Sequence, residues 1–123
     1  MQKGDTFLMG SIGGKKKHLW ILLCDPNKHH GTGVIVNLTT DRDRSGGDCS
    51  LYIGDHPWLT SECWVSYGDA MCLAPDKWSK IQHGIAMGLI VPQDPLAKIH
   101  LEKIVLAAKV SKAFPSVYLR FLD

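Results

Sequence analysis

The chain has 123 residues, of which 45% are apolar and 21% charged, and its formal charge is +2. That length suits one domain whose core can hold without staples, and that balance excludes a disordered chain. A net charge so near zero excludes any argument about partners from the total alone. Its distribution is uneven: Lys15, Lys16 and Lys17 stand together, and Lys98, Lys103, Lys109, Lys112 and Arg120 crowd the C-terminal stretch. Such clusters attract phosphates, and they are equally what a solvated face looks like.

In chain order, the polar Met1–Asp5 and the short, glycine-broken apolar run after it predict no signal peptide, so a cytoplasmic location is expected. No stretch reaches the roughly 20 apolar residues of a membrane helix, so no membrane partner is expected. Residues 6–12 read as a first strand, closed by Gly13-Gly14 and the lysine triplet. Residues 18–24 form a nearly continuous apolar run, as in a strand buried on both faces. Asp25-Pro26-Asn27 makes a turn, and residues 34–40 form a third strand rich in β-branched side chains. Residues 41–48, charged and without periodicity, read as a mobile surface loop. Residues 49–53 and 62–67 read as fourth and fifth strands, with Trp64 and Tyr67 on opposite faces.

Beyond Pro75 the pattern changes. Residues 76–81 fit one or two helical turns, and residues 84–91 are ambiguous. Asp94-Pro95 looks like a helix start, with Leu96, Ile99, Ile104, Val105 and Ala108 at helical spacing to about Lys112, before Pro115. The expectation is one domain, mainly β with a C-terminal helix: a small barrel over about 4–73 and a helical part over about 76–113. An SH3-like barrel is the compact solution for five short strands.

The polar residues at strand ends carry what chemistry there is. His18 opens the second strand after the lysines, Thr39 and Thr40 close the third, and Asp55-His56 follows the fourth. On one rim of a small barrel, imidazoles, a hydroxyl and ammonium groups suit a phosphodiester: histidine moves a proton near neutral pH, while lysines and hydroxyls stabilise charge on phosphate oxygens. RNA brings its own nucleophile, the 2′-hydroxyl, so no metal is needed. Each residue also has an ordinary role open to it, since threonine is at home in strands and a surface histidine needs no function. His29, His30, His56, Cys24 and Cys49 are metal-ligand types, but their spacing matches no compact zinc pattern, so neither a metal nor another cofactor is expected. The four cysteines, with no C-x-x-C pair, read as reduced core thiols. Trp20 reads as core. Trp58, beside a proline, reads as half-exposed and fit to stack a base or meet a partner, with turn packing as the alternative.

Gly4-Asp5-Thr6-Phe7, a glycine and lysine loop, His18-Leu19-Trp20-Ile21-Leu22-Leu23, and the strand ending in Thr39-Thr40 together resemble the MazF/PemK-like toxins over about residues 4–73. Gly54-Asp55-His56-Pro57 and Tyr67-Gly68-Asp69-Ala70 look like those of a divergent PemK-like branch rather than of the standard members. The resemblance implies an SH3-like barrel, a homodimer, metal-independent cleavage of single-stranded RNA, and an antitoxin protein as partner. Thr39 matches the family's strand-end threonine. His18 stands where the family has an arginine followed by proline, a departure at one of its catalytic positions. The expected site is therefore His18, Thr39 and His56 for catalysis, with Lys16, Lys17, Thr40, Asp55 and Trp58 holding RNA. The alternative is a non-catalytic barrel that binds a protein, a peptide or nucleic acid.

Overall fold

The computed structural model describes residues 1–10 and 16–122. Its centre is a curled antiparallel sheet of six strands, a half-barrel, flanked by helices. The strands are β1 (Thr6–Gly10), β2 (Lys17–Leu22), β3 (Gly33–Thr39), β4 (Ser50–Leu51), β5 (Cys63–Leu73) and β6 (Val91–Gln93). They lie in the order β4-β5-β3-β2-β1-β6. The short helix α1 (Arg42–Ser45) follows β3, α2 (Pro75–Ala86) follows β5, and α3 (Lys98–Val110) follows β6.

β2 and β3 are apolar on both sides because both sheet faces are covered. On one face, Leu19 and Ile21 of β2, Val34 and Val36 of β3 and Val65 and Tyr67 of β5 meet α3. That helix buries Leu101, Ile104, Val105 and Ala108, the spacing of one amphipathic stripe. On the other face, Phe7, Trp20, Leu22, Ile35 and Leu73 meet Trp78 and Ile81 of α2. Trp78 lies so close over Gly33 that an added Cβ would stand 3.0 Å from its ring, so β3 needs glycine there.

Several elements differ from the sequence reading. The charged residues 41–48 hold a helical turn: Asp41 caps it by accepting from the Arg44 N–H at 3.2 Å, and Gly46 ends it at φ 83°. Its signals are local hydrogen bonds that leave no periodicity to read. β4 is shorter than expected and β5 runs on to Leu73. The ambiguous stretch holds the end of α2 and leads into β6, which pairs with β1, so the sheet draws a strand from beyond residue 73. Asp94-Pro95 does not start the last helix. The Asp94 carbonyl accepts from Thr6 Oγ1 at 2.7 Å, and α3 begins at Lys98. Residues 11–15, which include Gly13, Gly14, Lys15 and the end of the expected first strand, lie outside the described residues. All four cysteines are unbridged, three buried and Cys72 half-buried.

Candidate functional site

Strand alternation places His18 and Trp20 of β2, Asn37 and Thr39 of β3, and Trp64 and Ser66 of β5 on the face that α2 covers only in part. Beyond Trp20–Asn37 the β2–β3 ladder stops. There the His18 ring takes over, with Nδ1 3.2 Å from the Leu38 carbonyl. A carbonyl only accepts, so Nδ1 carries the proton and Nε2 keeps its lone pair. His18 is 9% exposed, and the bond to Leu38 fixes its ring plane. Thr39 stands beside it at the end of β3, where its Oγ1 accepts from the Asp41 N–H at 3.1 Å. Its own hydroxyl proton remains available to a ligand.

On the β5 side the register shifts: Asn37 pairs with Ser66 but Ile35 with Met71, so residues 67–70 stand opposite Val36 alone. Bulges of this kind re-aim side chains. This one folds Asp69 back so that its Oδ2 accepts from Ser66 Oγ at 2.6 Å and meets Arg44 of α1 at 3.4 Å. An exposed pair of this sort contributes little stability, but it holds a guanidinium at the mouth of the polar patch. Arg44, Ser66 and Asn37 were not singled out in the sequence, and Asp69 only as part of the Tyr67-Gly68-Asp69-Ala70 motif. Gly68 inside a strand was the available signal for the bulge, and an asparagine within a β-branched run was the signal for Asn37.

The expected site residues fall into two groups. His18 and Thr39 come together, with Thr40 exposed just past the strand end and Lys17 exposed where β2 pairs with Gly10. Lys16 lies near the start of β5: burial pushes the Cys63 thiol up, against a hydrogen bond to Ser61 and the nearby Lys16 charge. Asp55, His56 and Trp58 form the second group on the opposite face of the sheet. His56 is 2% exposed, and both its ring nitrogens are engaged. Nδ1 accepts from the Trp58 N–H at 3.0 Å, while Nε2 meets the Asp94 carbonyl at 2.6 Å and Thr6 Oγ1 at 3.3 Å. Asp55 accepts from the Tyr52 N–H and pairs with His100 of α3 at 3.5 Å. Trp58 is half-buried against the α3-side core. The single rim joining His18 to His56 is thus not formed: Thr6, which holds His56, and Met9, which faces His18, point to opposite sides of β1.

Among the described residues no three His, Cys, Asp or Glu side chains gather as a metal ion requires. No described helix is long and apolar enough to cross a membrane. The polar patch offers a lone pair on imidazole, a hydroxyl donor and a guanidinium, a set able to move a proton beside an anionic group. Comparison with protein-family models, with curated proteins and with solved structures gives no match for this chain.

Proposed function

We propose that this chain is an endoribonuclease of the MazF/PemK-like kind, cleaving single-stranded RNA by acid/base chemistry on an SH3-like barrel, without a metal. What supports this reading above all is His18: its Nδ1–H is committed to the Leu38 carbonyl, which leaves Nε2 as a base next to Thr39. In the reaction, Nε2 takes the proton of the 2′-hydroxyl as that oxygen attacks the adjacent phosphorus. The 5′-oxygen leaves with a proton returned by the imidazolium, giving a 2′,3′-cyclic phosphate and a 5′-hydroxyl. The Thr39 hydroxyl and the Arg44 guanidinium stabilise the charge gathering on the phosphoryl oxygens. Lys16 and Lys17 hold the backbone. Its partners in this reading are single-stranded RNA, an antitoxin protein and a second copy of the chain, in the cytoplasm.

The test is incubation of the purified protein with a long mixed-sequence RNA in EDTA, beside His18→Asn. The asparagine keeps a donor for the Leu38 carbonyl but no base. Discrete fragments from the native protein, falling by about 100-fold or more in the variant, are the expected result. Intact RNA with both proteins, each shown to be folded, would overturn the enzyme and leave a half-barrel that binds a protein, a peptide or nucleic acid without cutting.

A further inference from the structure

Helix α3 carries a second apolar stripe that the fold does not use. Leu101, Ile104, Val105 and Ala108 turn toward the sheet, while Ile99, Leu106 and Val110 are 72%, 64% and 82% exposed. Their spacing in sequence puts these three on one line along the helix, opposite the buried stripe. Tyr52 and Ile53, in the loop after β4, are exposed as well. Lys103 joins that loop to the helix: its Nζ donates to the Ser50 carbonyl at 2.6 Å and stands 5.6 Å from the centre of the Tyr52 ring. On the other flank, Leu106 shares a shallow hollow with Lys3, Glu102 and Lys109, and Lys98 meets Glu102 at 3.9 Å. Asp55, the carboxylate on the loop side, is engaged by His100 at 3.5 Å. A row of aliphatic side chains therefore runs between Lys103 on one flank and Lys3, Lys98 and Lys109 on the other, with Glu102 the one carboxylate set among them.

We propose that this face of α3 lies on the surface of an anionic lipid bilayer. Single exposed aliphatic residues are ordinary, but a row of them rimmed by polar side chains marks an interaction surface. The row follows the outer crest of the helix, so its tips can enter the acyl boundary while the lysine stems reach sideways to the lipid phosphates. The charge on the flanks selects an acidic occupant. A second copy would set lysines against lysines, and RNA would meet aliphatic tips where it needs rings to stack on. Lying on a bilayer needs no spanning helix, so the lack of a long apolar stretch bears only on crossing it. The face belongs to the α3 side of the sheet, away from His18 and Thr39, and the proposal stands apart from the ribonuclease reading.

The test is co-sedimentation of the full chain with vesicles of phosphatidylcholine and phosphatidylglycerol, mixed at roughly 2:1, beside vesicles of phosphatidylcholine alone. Binding to the anionic vesicles should be about tenfold or more the stronger, and should fall by a similar factor when salt is raised from about 0.05 to about 0.5 M. The double variant Leu106→Gln with Val110→Gln changes only exposed side chains, so its thermal melt should match the native one. It should lose about tenfold or more of the vesicle binding, since the apolar contact is gone. No binding to either vesicle, equal binding to both, or full binding by the glutamine variant would overturn the proposal. So would a native dimer that the variant breaks, in the absence of vesicle binding, which would assign the face to a second copy.

Discussion

The two faces of the sheet treat buried polar groups differently. Under α3, each buried polar side chain used to hold the fold ends on backbone. His56 spends both ring nitrogens on Trp58 and Asp94, and the Tyr67 hydroxyl donates to the Ile104 carbonyl at 2.8 Å. On the α2 side, His18 commits one nitrogen, and the enclosed Asn37 oxygen has no partner among the described residues. Two histidines of similar burial, 2% and 9% exposed, therefore differ in what remains for a ligand. Satisfied polar groups in a dry core hold elements in place; a buried group left without a partner carries a desolvation cost instead. Burial alone would not have separated them.

The sharpest way to break this contrast is to remove each histidine and measure both activity and stability. His18→Asn should abolish most RNA cleavage, by about 100-fold or more, while urea unfolding shifts by less than about 1 kcal/mol. His56→Ala should do the reverse. It removes the link between β1, the loop after β4 and the segment before α3, and it leaves the Trp58 N–H without its acceptor. A loss of roughly 3 kcal/mol is expected, near a 10 °C fall in melting temperature for a domain of this size. Cleavage per folded molecule should stay close to native. If His56→Ala keeps its stability and loses activity, the assignment of the two faces is inverted.

Tyr67→Phe probes the same covered face more gently. The hydroxyl is buried, and burial drives its ionisation well above the usual range, so it acts only as a neutral donor. Its loss should cost about 1 kcal/mol by denaturant unfolding with unchanged cleavage. A drop in cleavage would tie α3 to the site through the Ile104 carbonyl.

Much of the fold was legible because burial on both faces writes itself as unbroken apolar runs in β2 and β3, and the α3 stripe as helical spacing. What was not legible depended on single hydrogen bonds. Asp94-Pro95 has the signals of a helix start, yet the Asp94 carbonyl is held by Thr6 and His56 from far along the chain, and tertiary contacts outrank a local cap. The helical turn at Arg42–Ser45 rests on Asp41 and Gly46. Of the site, His18 and Thr39 could be picked out as polar residues at strand ends. Asn37 showed only as an asparagine within a β-branched run, a signal that gains meaning once its oxygen is seen to lack a partner among the described residues, and Asp69 needed the bulge.

The smallest expected effect discriminates most finely. An enclosed acceptor without a partner costs the free protein about 1–3 kcal/mol, so Asn37→Val, which removes it and suits a strand already flanked by Val36 and Leu38, should leave stability unchanged or raise it by up to about 1 kcal/mol. A thermal melt beside the native protein measures this directly. Few buried polar-to-apolar changes at a strand centre stabilise, so a melting temperature equal to or above native would mark Asn37 as kept for something other than folding. A fall of more than about 1 kcal/mol would mean that the amide is bonded within the folded protein. The α2 side would then be as fully satisfied as the other, and the contrast between the two faces would rest on His18 alone.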